Sequence, residues 1–449
     1  MAPKQIEDTL RKWVEAETHG KTVEWSVISG GNRCLSWAVD SRRADGSEEK
    51  LYLRYQPPRP PSVEPYTVPR EAAIYQIIDG TDVPAPRTIA IHPDLPAILT
   101  ERVPGRADFR RLENPAEKMA IAGDFIAALC KLHALKADLS AIMPQGAETI
   151  EDCVRAEIAI WRAMYEETGR RDALIEFALF WLSGNVPETG LPPVLVHGDA
   201  GQGNFLFENG RMTALLDWEL AHPGDPMEDL AWFSMRSVME PVPDFAACIE
   251  NYDRMSAHRV DRRRVEYHRV FVSTRVIIIR HRNVTGEPGN SIVSRALNRR
   301  LLVDALADAT GVQLPVQVPV EASATPQTGL YDHVLNDLQE SSAAHDVGWQ
   351  FASAAKNAAK VLKYLREVDR LGPALAEADR RSKQDLLGEA GDGDEIALCN
   401  AIESGRVTFE SALGFFAGLV AREAQLAALA SGGLANRKFP ELAKRKNSS

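Results

Sequence analysis

Between Trp25 and Val103 apolar residues alternate with polar ones in short runs, the two-residue period of half-buried strands. WSVISGGNRCLSWAV (25–39) reads as strand, glycine turn, strand, and LYLRYQ (51–56), VPAPRTIAIHP (83–93) and PAILTERV (96–103) supply three more strands. A proline-rich stretch from Pro57 to Pro69 leads into a helix opening at Arg70–Glu71. The expectation for 1–103 is a small antiparallel sheet with one inserted helix.

Beyond Asn114 the apolar period lengthens to that of a helix. Met119, Ile121, Phe125, Leu129 and Leu132 fall near one face, and a second long helix is expected over roughly 150–183. The run VLVHGDAGQGNFLFENGRMTALLDWE (194–219) breaks this pattern: short strands bracket a polar loop and an Asn-Gly turn. Helices resume to about Thr310, with Val270–Ile279 read as a buried helix. VQLPVQVPVEASATPQTG (312–329) has three prolines and no period, and reads as a linker. Residues 330–435 are helical again: Phe351, Ala355, Ala358, Leu362 and Leu365 recur at helical spacing, and Val407–Leu429 is amphipathic. The pattern gives an α+β chain divided as 1–103, 104–311, a linker 312–329, and an all-α segment 330–449.

Composition changes this picture little. The chain has 449 residues, 45% hydrophobic and 26% charged, with a net charge of −11. A non-specific nucleic-acid role would demand a basic footprint, so none is expected. The five cysteines (Cys34, Cys130, Cys153, Cys248, Cys399) form no CxxC pair, which fits a reducing compartment. With no apolar h-region at the N-terminus and no apolar run near the ~20 residues that span a bilayer, a cytoplasmic location without a membrane role is expected.

Candidate chemistry concentrates between His197 and Glu219. Phosphoryl transfer asks for an acceptor hydroxyl held in line, metal ions on the phosphates and neutralised charge. Asp199, on a tight glycine-containing loop, can orient and deprotonate a hydroxyl. Asn204 can reach a Mg²⁺ ion, and a short hairpin brings back Asp217 as a second ligand. Mg²⁺ takes one or two carboxylates plus phosphate oxygens and water, which this set matches. Glu219 can assist through a water or a second metal. The bland alternative makes HGD a turn and DWE a strand end; both triplets in order, with an intervening Asn and an NG hairpin, argue against it.

The segments HGDAGQGNFLF and ALLDWELAHPGDPMEDLAW resemble the aminoglycoside phosphotransferase family, over about residues 20–300. They resemble most closely a branch containing bacterial proteins and the kinase domains joined to acyl-CoA dehydrogenases. The resemblance implies a two-lobed protein-kinase-like fold, with ATP and Mg²⁺ as cofactors. It implies Asp199 as catalytic base, Asn204 and Asp217 as metal ligands, and His197 as a brace for the loop. Asp225 and Asp229 would cap and anchor the following helix. Gly30, Gly31 and Asn32 would belong to the phosphate-covering loop. Arg54 would stand where a protein kinase has its phosphate-binding lysine, with Lys50 as fallback, and Glu71 would pair with it. Glu101 and Val103 would read the adenine edge through their backbone.

The acceptor is the open point. Residues 150–173 mix Glu151, Asp152, Glu157, Glu166 and Glu167 with Arg155, Arg162, Arg170 and Arg171, as a solvated helix does. The region 254–282 is basic (Arg262, Arg263, Arg264, Arg269, Arg275, Arg280, Arg282). Arg275, Arg280 and Arg282, which flank an apolar helix, would face an anionic substrate such as an acyl-CoA phosphate, or pair with carboxylates of the chain. The favoured function is phosphorylation of a hydroxyl on a small molecule, for instance a hydroxyacyl-CoA. The alternatives are an antibiotic kinase and a catalytically silent nucleotide-binding scaffold. In the C-terminal segment His333, His345 and Asp346 make no metal spacing. Phe415, Phe416, Leu419 and Leu426 suggest packing against the rest of the chain or self-association.

Overall fold

The computed structural model describes residues 3–28, 34–282, 288–321, 323–343, 348–388 and 395–443. The first elements are α1 (Pro3–Thr18), β1 (Gly20–Ile28), β2 (Leu35–Arg43), β3 (Glu48–Tyr55), α2 (Val68–Ile78), β4 (Thr88–Ile91) and β5 (Ala97–Glu101). Then come α3 (Pro115–His133), α4 (Ile150–Glu166), α5 (Ala173–Gly184), β6 (Val194–Val196), β7 (Phe205–Glu208), β8 (Arg211–Leu215) and β9 (His222–Gly224). The remainder is helical: α6 (Pro226–Met239), α7 (Phe245–Met255), α8 (Arg262–Arg282), α9 (Pro288–Thr310), α10 (Thr328–Ala343), α11 (Trp349–Leu387), α12 (Glu395–Glu403) and α13 (Phe409–Ser431). The described chain divides into two compact units: Met1–Ile160 with Glu188–Val265 and Pro440–Ser449, and Trp161–Pro187 with Glu266–Phe439.

In the first unit five antiparallel strands form a sheet in the order β1-β2-β3-β5-β4. Strand alternation decides its two faces. Trp37, Val39, Leu51, Leu53, Tyr55, Ala97 and Leu99 point one way and bury against Ile6, Leu10, Trp13 and Val14 of α1. Each fully buried Leu or Val stabilises by about 1.5–3 kcal/mol, so α1 is a structural member of the sheet. One helix was expected among these strands and there are two. The helical stripe 6-10-13-14 sits between charged residues, and only its burial reveals it. Alternation places Tyr52 and Arg54 of β3 on the other face. Helix α2 starts where Thr67 accepts from the Arg70 amide at 3.4 Å, with proline in its first turn.

The Asn-Gly hairpin between β7 and β8 forms as expected, with Asn209 and Gly210 both at positive φ (50° and 74°). Strands β6 and β9 pair antiparallel, Val196 opposite His222. The helix expected over 150–183 is broken into α4 and α5. Gly169 turns at φ 64°, and Asp172 then caps α5, accepting from Leu174 and Ile175 amides at 3.0 and 3.3 Å.

The second unit is helical. Its core stacks Phe177 of α5 on Phe409 and Phe416 of α13, at 5.0 and 5.1 Å between rings. Arg299 of α9 ties Asp172 (2.6 Å) to Glu423 (2.8 Å). Residue 320 is held to α13, the Val320 amide donating to Gln425 at 3.1 Å. This grouping differs from the division expected at 312–329, because residues on both sides of the proline-rich stretch share one core. The helical pattern of α11 is real, but Phe351 and Leu365 are exposed while Ala355, Leu371 and Leu375 are buried. Among the described residues one helix, Phe409–Leu434, is long and apolar enough to cross a membrane. Its Leu413, Phe416, Val420 and Ala427 are buried in the protein.

Candidate active site

The loop leaving β6 is shaped by backbone contacts that only glycine allows. A Cβ on Gly198 (φ 75°) would stand 2.2 Å from the Leu220 carbonyl oxygen, and one on Gly201 (φ 144°) 2.8 Å from Arg236 Cβ. The loop is held by a single carboxylate. Asp229 accepts from the His197 and Gly198 amides at 2.8 and 3.0 Å, and lies 3.0 Å from His133 Nε2. The other ring nitrogen of His133 is 2.6 Å from the Tyr252 hydroxyl. Asp225 and Asp229 were both expected to cap the following helix, and only Asp225 does. It accepts from the Met227 amide at 2.9 Å and pairs with Arg264 at 2.8 Å. Asp229 sits one turn further along α6 and reaches back to the loop instead.

His197 is wholly buried. Its Nε2 is 2.9 Å from the Leu216 carbonyl and its ring packs 4.8 Å from Trp218. It braces the loop against the residues around Asp217 and has no surface from which to serve a substrate. Asp199 follows. Arg236 of α6 grips its carboxylate, Nε donating to Oδ1 at 3.0 Å and Nη2 to Oδ2. Asn204 Nδ2 donates to the Asp199 carbonyl and to Oδ2, both at 2.8 Å. Such charge-assisted, bidentate bonds fix the carboxylate's direction. Asp217 adopts a left-handed backbone (φ 62°, ψ 60°), an unusual state for a non-glycine residue and one that turns its side chain out of the strand line.

Across the sheet face, Arg54 gathers three carboxylates. Nη1 donates to Glu71 and Asp217, each at 3.1 Å, and Nη2 to Glu219 at 2.5 Å. The planar fork spans α2 and the DWE turn together, which an ammonium could not do from one position. Burial pushes the Glu71 carboxyl up, to about 8; Arg54 pulls against this, and Asp217 and Glu219 add to it. Lys50, the fallback for Arg54, is exposed at the strand entrance.

A cavity of about 470 Å³ opens beside this cluster. Arg54, Glu71, Asn204, Asp217, Glu101, Arg102 and Val103 are among the residues that line it. The structure thus brings together six of the expected residues, while Gly30, Gly31 and Asn32 lie outside the described residues. Their flanks Ile28, Cys34 and Ser36 line the same cavity. No cluster of three or more His, Cys, Asp and Glu among the described residues is arranged to hold a metal unaided. Asn204 and Asp217 would instead hold Mg²⁺ with phosphate oxygens and water, the ligand mixture this ion takes.

Arg236 went unread in the sequence, and the reach of Asp229 back to the loop was not foreseen. Arg236 and Asp229 are seven apart on α6, two turns, so both face the loop; the i, i+7 spacing was the available signal. Of the basic residues in 254–282, Arg264 meets Asp225 and Arg282 meets Glu167 at 2.7 Å, while Arg275 is buried against the Phe271 ring at 4.0 Å. The carboxylates of 150–173 are also engaged. Glu151 binds the Gly190 amide at 2.8 Å and Glu157 accepts from Tyr66 at 2.8 Å.

The chain is similar in sequence to several known proteins. Acyl-CoA dehydrogenase family member 11 of Homo sapiens is 29% identical over 227 residues, which cover 46% of this chain and 29% of that protein. Family member 10 of Mus musculus is 28% identical over 199 residues, covering 41% of this chain and 18% of the relative. The matched stretch is therefore less than a third of either relative's length. Among solved structures, a thermostable mutant of aminoglycoside phosphotransferase APH(4)-Ia in its apo form aligns with a TM-score of 0.49 at 18% identity, covering 67% of this chain and 99% of that one. The model of the APH phosphotransferase enzyme family matches residues 24–267, more than half of the chain. The chain belongs to the phosphotransferase enzyme family.

Proposed function

We propose that the protein transfers the γ-phosphoryl group of Mg-ATP to a hydroxyl of a small molecule. The observation that carries this is the convergence of Asp199, Asn204 and Asp217, with Asn204 bonded to Asp199 at 2.8 Å and lining the same cavity as Asp217. Asp199 is the group that takes the acceptor hydroxyl's proton, its carboxylate aimed by Arg236 and Asn204. Asp229 and His197 hold the loop that presents it. Arg54, oriented by Glu71 and Glu219, offers the α- and β-phosphates a fixed positive charge. Glu101 and Val103 border the end of the cavity suited to the adenine. Bound through Asn204 and Asp217, Mg²⁺ would neutralise phosphate charge. On this reading 1–103 is the nucleotide-binding part and 104–311 supplies the catalytic loop, in a cytoplasmic enzyme.

For the acceptor, we favour a hydroxylated acyl-type metabolite such as a hydroxyacyl-CoA. The names of the acyl-CoA dehydrogenase relatives support it. So does the internal use of Glu151 and Glu157, which leaves those carboxylates unsuited to a polycationic antibiotic. The test is Mg-ATP consumption against a panel of hydroxyacyl-CoAs, other hydroxylated metabolites and aminoglycosides, with the wild type and Asp199→Ala. Turnover with an acyl acceptor, lost in the variant, is expected. Equal turnover in both proteins would sink the catalytic assignment, and turnover confined to aminoglycosides would sink the acceptor.

A further inference from the structure

A second cavity, of about 190 Å³, lies wholly within the helical unit that contains α9 and α13. Arg170, Arg280, Arg295, Arg299 and His281 line it, opposed by one carboxylate, Asp172. Arg299 is matched, since it binds Asp172 at 2.6 Å and Glu423 at 2.8 Å. Arg295 lies 3.9 Å from the other Glu423 oxygen and is exposed. The Arg170 guanidinium, among the described residues, donates to the neutral His281 carbonyl. Arg280 makes no hydrogen bond or ion pair among the described residues, and it too is exposed.

Among the described residues, four guanidinium groups therefore share two carboxylates, a surplus of two positive charges around one small volume. Burial pushes the His281 imidazole below its usual value; the hydrogen bond to the Arg170 carbonyl and the Asp172 carboxylate pull against this, and Arg170 and Arg295 add smaller pushes downward. The ring is then neutral near pH 7 and adds no charge of its own. Burial pushes Asp172 upward, but Arg299 and Arg295 outweigh it and keep the carboxyl below its ordinary range. The one carboxylate facing the cavity thus stays ionised, and the surplus exists with it already counted.

We infer that this cavity is a binding site for a small dianion of the phosphate or phosphate-monoester class. A dianion matches the uncompensated charge. Guanidinium forks match phosphate geometry through paired N–H donors, and Ser291 and Asn298 add neutral polar groups to the wall. The volume sits below the ~300–1,000 Å³ of sites for drug-sized ligands, so it admits a phosphate with a short stem rather than a nucleotide. Arg280 and Arg295, exposed on the cavity's wall, draw an anion inward. None of these residues has a part in the phosphoryl-transfer reading, so the two proposals stand or fall separately.

The experiment is isothermal titration of the full chain with inorganic phosphate, glycerol 3-phosphate and acetate, with saturating Mg-ADP present to fill the nucleotide cavity. The wild type is expected to bind one phosphate-class ligand, more weakly as salt rises, and to ignore acetate. The Arg280→Gln/Arg295→Gln variant, altered only at exposed side chains, should bind it about tenfold or more weakly, with Mg-ADP affinity unchanged. Tighter binding of glycerol 3-phosphate would identify the ester as ligand, and tighter binding of inorganic phosphate the free ion. No binding by the wild type, equal binding by the variant, or equal binding of acetate would each overturn the inference.

Discussion

Asp229→Ala tests the idea that one buried carboxylate holds the loop presenting Asp199. Asp229 accepts from two backbone amides, His197 and Gly198, at 2.8 and 3.0 Å, and all these groups are buried. Alanine offers no acceptor, and the altered pocket leaves both amides orphaned. A buried donor without a partner costs about 1–3 kcal/mol, so the pair costs about 2–6 kcal/mol. That is a large share of the ~5–15 kcal/mol by which folded proteins are stable. Asp229→Asn keeps one oxygen. Placed toward the His197 amide and His133, it turns its NH₂ against the Gly198 N–H, so about one contact is lost, about 1–3 kcal/mol. Urea unfolding followed by tryptophan fluorescence reads the stability. Hydrogen exchange of a peptide covering 194–204 reads the loop itself. The expected order is wild type, Asn, Ala, with loop protection falling in step and turnover falling more than ATP affinity. Stability of Asp229→Ala within about 0.5 kcal/mol of wild type, with loop protection intact, would refute the reasoning.

Other expectations follow from the same geometry. Arg54→Lys keeps the charge but loses the fork that reaches Glu71, Asp217 and Glu219 together, so Mg-ATP affinity by titration should fall about tenfold, some 1.4 kcal/mol; unchanged affinity would remove Arg54 from the nucleotide site. Cys34 lines the 470 Å³ cavity and burial pushes its thiol up too, while burial pushes the Cys130 thiol up to about 11 and Cys153 and Cys248 up to about 12. Alkylation of the native protein at pH 8 should therefore spare those three, and Mg-ATP should slow modification of Cys34 in peptide maps. The Asp172 carboxyl is depressed in the folded state. Its stabilisation is thus present above the unfolded carboxyl pKa and lost as pH falls through the folded one. Stability measured from pH 6 downward should decline less steeply in Asp172→Asn than in wild type.

Much of the fold was legible because it rests on local pattern. Alternation located β1–β5, the Asn-Gly pair at 209–210 marked the hairpin, and helical spacing found α3, α8 and α13. The candidate chemistry was legible for a related reason: Asp199, Asn204 and Asp217 sit on one loop and one hairpin, so their spacing is nearly their geometry. What failed needed partners distant in sequence. Helix α1 was not expected, because its stripe of Ile6, Leu10, Trp13 and Val14 gains meaning only where it meets the sheet. The proline-rich stretch at 312–329 looked like a boundary, although α9 and α13 on either side of it share a core. Asp229 looked like a helix cap, and Arg236 was overlooked, because what each does depends on a loop some 30 residues away.

Sequence pattern reached most of the secondary elements and the loop-and-hairpin cassette around Asp199, Asn204 and Asp217. Local sterics, hydrophobic period and short spacings settle those. Tertiary structure alone decided that Arg54 faces three carboxylates rather than one, that Asp229 anchors the loop while Arg236 aims Asp199, and that four arginines scattered over 170–299 surround one cavity. Electrostatic and hydrogen-bond partnerships act through space over a few ångströms. Chain spacing does not predict which distant residues packing will bring within that range.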